Sequence, residues 1–133
     1  MKRAGVQNYQ IHENKETLKK LLAGKCDWVL LDVPCSGSGT LRKNPDLKWK
    51  FSSERLKELL AIQQILLKES IPFLNEKGRI VYCTCSVLPE ENLMQVIRFC
   101  EEHSFEIENS AHFTTFPQKR GMDGFFSATL VKK

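Results

Sequence analysis

The chain has 133 residues, of which 41% are hydrophobic and 27% charged, with a formal net charge of +4. That length holds one domain around one core, and that balance excludes a disordered chain. No apolar run approaches the ~20 residues of a membrane helix, Met1-Lys2-Arg3-Ala4-Gly5 is followed by no secretory core, and the modest positive charge permits a polyanionic partner without demonstrating one.

In chain order, Gln7 to His12 is a candidate short strand. Glu16 to Ala23 sets Leu18, Leu21 and Leu22 at helical spacing, and Gly24 supplies the stop. Trp28 to Leu31 is short, continuous and apolar, as in a strand buried on both faces. Asp32 stands where that strand ends, and Pro34 interrupts pairing. Gly37 and Gly39 permit a tight backbone with room for a ligand close by. Gly-Ser-Gly alone also reads as an ordinary turn. More specific is Asp32-Val33-Pro34-Cys35-Ser36-Gly37, with acid, proline and cysteine at fixed offsets. Thr40 to Lys50 is a turn around Asn44-Pro45-Asp46, decorated by Arg42, Lys43, Lys48, Trp49 and Lys50.

Ser52 can cap the next helix, which runs to about Ser70. Leu56, Leu59, Leu60, Leu66 and Leu67 fall near one face, widened by Ile62 and Ile65. Pro72 and the stretch Asn75 to Gly78 break the pattern. Arg79 to Thr84 is a second buried strand, with Cys85-Ser86 at its carboxyl end. Pro89-Glu90-Glu91 open a helix whose face is Leu93, Val96, Ile97 and Cys100, the acids suiting its positive end. Phe105-Glu106-Ile107 is a short strand, His112 to Gly124 a loop, and Phe125 to Lys132 the final strand.

A strand, a helix and a second strand in this order form a βαβ unit, so Trp28–Leu31 and Arg79–Thr84 should be parallel. If they are neighbours, their carboxyl ends share one edge, and Asp32, Cys35 and Cys85 converge on one crevice. Two thiols and a carboxylate there suggest covalent catalysis. A free cysteine has a pKa of ~8.5, so the nucleophile needs help from a cation, a base or a helix N-terminus. The helix starting near Pro89 is placed to give it to Cys85. Cys26, Cys83 and Cys100 read as small apolar filler. Five cysteines, an odd count, suit free thiols in a reducing cytoplasm. No second close pair joins Cys83-Thr84-Cys85, so no metal site is expected. A Cys35–Cys85 disulfide also fits an oxidised sample, but the chain has no Cys-x-x-Cys pair of the redox type.

Asp32-Val33-Pro34-Cys35-Ser36-Gly37, followed by Thr84-Cys85-Ser86-Val87-Leu88-Pro89-Glu90-Glu91-Asn92, resembles the two signature blocks of the Sun-type RNA 5-methylcytosine methyltransferases. Asn44-Pro45-Asp46-Leu47-Lys48-Trp49 and Gly124-Phe125-Phe126 match that family's habits as well. The resemblance implies an α/β, Rossmann-like fold with a mostly parallel sheet flanked by helices. It implies an RNA cytosine-5 methyltransferase that takes a methyl group from S-adenosyl-L-methionine, with ribosomal or transfer RNA as substrate. By similarity Cys85 is the nucleophile, Cys35 the second thiol that assists product release, and Asp32 a partner of the cytosine edge that also borders the cofactor. Asn14, or Glu13 with a one-residue gap, falls where an acid near the adenine is expected. Arg42, Lys43, Lys48 and Trp49 are candidate RNA contacts, with a solvated loop as the competing reading.

The family's glycine-rich cofactor loop and its ribose-binding acid find no counterpart before Asp32. The chain is therefore expected to be the C-terminal portion of one catalytic domain, from a truncated gene, a split gene or a piece of a longer protein. A half sheet exposes a strand edge and apolar faces, so self-association or pairing with the missing N-terminal half is expected. A non-catalytic RNA- or protein-binding module is the alternative to an enzyme.

Overall fold

Two apolar runs lie side by side and parallel at the centre of the site, as the βαβ order requires. The computed structural model describes Gly5 and residues 7–133. Its elements are α1 (Lys15–Leu22), β1 (Cys26–Asp32), α2 (Leu47–Lys50), α3 (Ser53–Ser70), β2 (Leu74–Thr84), α4 (Leu93–His103), β3 (Phe105–Thr115) and β4 (Phe125–Lys132). Short 3-10 turns stand at Ser38–Thr40, Ile71–Phe73 and Pro89–Glu91. One open sheet has the order β1-β2-β4-β3. β1 and β2 are parallel, with Trp28 opposite Arg79 and Asp32 opposite Cys83. The C-terminal hairpin adds antiparallel pairings of β4 with β2 and with β3. The class is α/β as expected, with a mixed sheet in this part of it.

Local chemistry explains the helices. Ser52 Oγ accepts from Arg55 N at 3.1 Å and starts α3, a cap worth about 1 kcal/mol. Gly24, at φ +67°, takes the left-handed position after α1. The core joins Leu67 of α3, Val96 and Phe99 of α4, and Ile80, Tyr82, Phe126 and Leu130 of the sheet.

Several sequence expectations are corrected. Gln7 to His12 form no strand, because no strand of the described residues lies beside them. Trp28 and Leu30 are 58% and 68% exposed; β1 is an edge strand here, and one of its faces is uncovered. Residues 47–50 coil into the short α2 inside the expected turn. Asn75 to Gly78 interrupt the pairing inside β2 without ending the strand: β2 advances from Leu74 to Arg79 while β1 moves only from Cys26 to Trp28. On α3 the buried stripe is Leu59, Gln63, Leu67 and Ser70, and Ile62 and Ile65 face outward. On α4 Gln95, Val96, Phe99 and Cys100 are buried, whereas Ile97 is exposed. Residues 112–115 are strand, not loop. A bulge hides their alternation: β3 advances from Ile107 to His112 against only Leu130 to Ala128 of β4, with Asn109 and Ser110 in the left-handed region.

Candidate active site

Parallel pairing puts the ends of β1 and β2 at one edge of the sheet, and the loops that leave them meet there. Gly37 takes φ +69°, a left-handed turn that glycine permits. The Cys35 and Cys85 Sγ atoms lie 3.3 Å apart. Both are free thiols, half-buried. The hydrogen bond from Cys35 pulls the Cys85 thiol down to about 7, against its burial and the negative charges of Asp32 and Glu91. The same contact, with burial, pushes the Cys35 thiol up. Of the two thiols, Cys85 is thus the one whose proton is held less firmly. The sequence pointed to the following helix end as the source of help for Cys85; the structure adds the neighbouring Cys35 thiol. Asp32 is exposed at the last position of β1, on the same side.

A buried polar network holds the two loops together, and sequence reasoning missed it. Glu91 is fully buried. Its carboxylate accepts from Ser36 N at 2.8 Å, from Ser36 Oγ at 2.5 Å and from Gln63 Nε2 at 3.1 Å. Gln63 also donates to Pro34 O at 3.0 Å, and its own carbonyl oxygen accepts from Gln95 Nε2 at 2.9 Å. Ser86 Oγ lies 3.0 Å from Ser38 Oγ and 3.3 Å from Ser36 Oγ. Thr84 Oγ1 donates to Asn92 Oδ1, and Asn92 Nδ2 donates to Ser86 O. Two signals pointed here. Gln63 is a polar residue in the buried stripe of α3, and Glu91 belongs to the second signature block.

The space beside Gly39 is filled by backbone rather than kept for a ligand. Gly124 N donates to Gly39 O at 2.9 Å, and Gly39 N donates to Cys85 O at 3.0 Å. The strap from Gln118 to Asp123 is tied down by two of the residues read as RNA contacts. Arg42 donates to Gln118 O, Gly121 O and Asp123 Oδ1, and Lys43 Nζ sits 2.6 Å from Asp123 Oδ2. Those bonds hold the buried Asp123 carboxyl below its ordinary range, Lys43 contributing most. Arg42 and Lys43 are therefore a loop clamp in this structure.

Lys48 and Trp49 are differently placed. Trp49 is 84% exposed, and Lys48 Nζ lies 5.7 Å from its ring centroid. Ser36, Leu47 and Phe51 line two crevices. One, of about 170 Å³, is lined by Cys35, Ser36, Leu47, Lys50, Phe51, Arg55 and Leu59. The other, of about 200 Å³, is lined by Ser36, Ser38, Leu41, Leu47, Lys48, Phe51 and Leu88. Asn14 caps α1, its Oδ1 accepting from Thr17 N at 3.0 Å, and borders an open hollow with Ile11, His12, Glu13 and Thr17. The structure brings Cys35 and Cys85 into contact and leaves Asn14 on a separate element.

A family model described as 16S rRNA methyltransferase RsmB/F matches residues 1–131. The chain is 42% identical over 113 residues to ribosomal RNA small subunit methyltransferase B of Erwinia tasmaniensis, covering 80% of this chain and 26% of that protein. It is 40% identical over 121 residues to probable ribosomal RNA small subunit methyltransferase B of Synechocystis, covering 80% of this chain and 27% of that protein. The chain thus spans about a quarter of the length of these relatives. Among solved structures, NSun6 from Pyrococcus horikoshii with SFG superposes at a TM-score of 0.79 with 26% identity, over 98% of this chain and 36% of that one.

Proposed function

The chain belongs to the 16S rRNA methyltransferase RsmB/F family, and we propose that it carries the thiol-bearing half of an RNA cytosine-5 methyltransferase acting on ribosomal RNA. The observation that carries this reading is the Cys35–Cys85 contact at 3.3 Å. C5 of cytosine is a poor nucleophile. Attack of the Cys85 thiolate on C6 forms an S–C6 bond and moves the ring electrons toward C5. Asp32, exposed at the end of β1, hydrogen-bonds the cytosine edge and supports the protonation that makes C6 electrophilic.

Cys35 changes role as the reaction proceeds. While Cys85 is a thiolate, it holds the proton on Cys35. Once Cys85 Sγ is tied up as a thioether, that acceptor is lost and Cys35 releases its proton to solvent, becoming a thiolate. Cys35 then takes the C5 proton, the C5–H electrons restore the C5=C6 double bond, and the S–C6 bond breaks with Cys85 leaving as thiolate.

S-adenosyl-L-methionine, when bound, supplies the methyl group that C5 accepts. An exposed carboxylate at a strand's carboxyl end fits a polar edge of that cofactor, so Asp32 is the residue of this chain that would border it. Asn14 is the second candidate: its Oδ1 caps α1, while the open hollow beside it leaves the rest of the amide accessible. Lys48 and Trp49 supply charge and a stacking surface for RNA. The free edge of β1 is where the preceding part of the domain would add its strands. Five free thiols suit a cytoplasmic setting.

The test is methyl transfer from radiolabelled S-adenosyl-L-methionine to bulk RNA, by the chain alone and with the family's preceding half added in trans. Transfer only with the added half is the expected result. No transfer in either case, with circular dichroism showing a folded chain, would overturn the reading in favour of a non-catalytic module.

A further inference from the structure

We propose that Glu91 is a positioning residue that sets the separation of the Cys35 and Cys85 sulfur atoms. The inference deepens the reading above, but its readout is thiol chemistry, which can be measured without methyl transfer.

A buried carboxylate demands donors in place of water, and every donor that Glu91 has is neutral. Two of the three come from Ser36, the residue next to Cys35. A carboxylate can accept from an N–H and an O–H of one residue at once, with one oxygen each. An apolar side chain filling the same space could do neither. Glu91 is itself fixed to the strand that leads into Cys85. Tyr82 OH, on β2, donates to Glu91 O at 2.7 Å. The neighbouring Asn92 is bonded to Thr84 and Ser86, on either side of Cys85. Gln63 steadies the carboxylate from α3 while also holding Pro34 O, on the other side of Cys35. The chain from Cys85 through β2 to Glu91 and across to Ser36 and Cys35 is thus a closed ring of contacts, and the side chain of Glu91 is the link that spans the two loops.

Charge and position act on Cys85 with opposite signs. As a negative charge, Glu91 opposes the thiolate. As a clamp, it holds the donor that favours it. Glu91→Asp keeps the charge and shortens the reach by one methylene; Glu91→Gln keeps the reach and removes the charge. The experiment is alkylation of the intact chain by iodoacetamide from pH 5 to pH 10, with the Cys85 peptide followed by mass spectrometry. Glu91→Asp is expected to raise the apparent pKa of Cys85 by about one unit, slowing its alkylation at pH 7 about fivefold. Glu91→Gln is expected to leave that pKa unchanged or lower it. An unshifted pKa in folded Glu91→Asp overturns the proposal, as does a rise in Glu91→Gln equal to that in Glu91→Asp, which would make charge rather than reach the cause. Should Glu91→Asp not fold, Ser36→Ala removes one of the three bonds to the carboxylate, and a rise of the same sign is expected. No shift there overturns the proposal equally.

Discussion

Gly39 and Gly124 touch backbone to backbone: a Cβ built on Gly39 would lie 2.1 Å from Gly124 O. The contact joins the loop after β1 to the start of β4, and Gly39 N reaches on to Cys85 O. Gly39→Ala is expected to destabilise the chain by about 1–3 kcal/mol, since the obstacle is backbone and cannot swing aside. Urea denaturation measures the loss, and a stability within 0.5 kcal/mol of the parent would show that the two loops separate freely.

Removing the Cys35 thiol deletes the donor that lowers Cys85. Cys35→Ala is expected to raise the apparent pKa of Cys85 toward the ordinary ~8.5. With RNA and the complementing half present, it should also let a protein–RNA adduct accumulate. Cys85→Ala should abolish methyl transfer by at least a hundredfold. Normal transfer by Cys85→Ala would assign the nucleophile elsewhere.

The sign of the pH dependence follows from the thiolate. Cys85 is an acid whose pKa is held down to about 7. Its reactive form therefore grows as pH rises through 7 and is lost below it. Alkylation of Cys85 should reach half its plateau near that pH, clearly before an unperturbed thiol at ~8.5. A midpoint at ~8.5 for Cys85 would remove the basis for calling it activated.

The Asp123 clamp should fail in acid. Lys43 and Arg42 hold that carboxyl below its ordinary range, so the stability it contributes is present above pH ~4 and lost as pH falls through the depressed value. Asp123→Asn should loosen the strap at neutral pH, lowering the melting temperature by a few degrees and speeding tryptic cleavage after Lys119 and Arg120, which are already exposed. Unchanged cleavage would mean that the strap is held elsewhere.

The free edge of β1, with Trp28 and Leu30 uncovered, should make the isolated chain associate. Sedimentation velocity is expected to show concentration-dependent oligomers alone and a one-to-one complex once the preceding half is added. A monomer at high concentration without that half would argue against the edge as its docking place.

The parallel strand pair and the meeting of Cys35 with Cys85 were legible because both are consequences of connectivity. A βαβ unit leaves little choice about which strand ends coincide. Ser52 and Gly24 were legible because a cap and a stop act over a single turn. Glu91 and Gln63 were not, because helical spacing reports which residues share a face and says nothing of what that face meets. Glu91 was read as an acid favouring a helix end, whereas the surrounding donors decide its place. Leu66 and Ile62 look alike in sequence; α3 partly buries one and exposes the other because only one side of it meets the sheet. Residues 112–115 escaped notice because the bulge around Asn109 and Ser110 breaks strict alternation. Arg42 and Lys43 were read from charge alone, and their partner Asp123 lies far along the chain.

β4 is made after β1, β2 and β3, yet it lies between β2 and β3 and buries Phe126, Ala128 and Leu130. On a ribosome, β2 must therefore wait with one side unpaired until residues 125–132 have cleared the exit tunnel. The thiols of Cys35 and Cys85 emerge long before the backbone of Gly124 that braces their loops. The site therefore closes only after residues 125–132 have emerged, and the window before that is when chaperones and oxidants have their easiest access to both sulfurs.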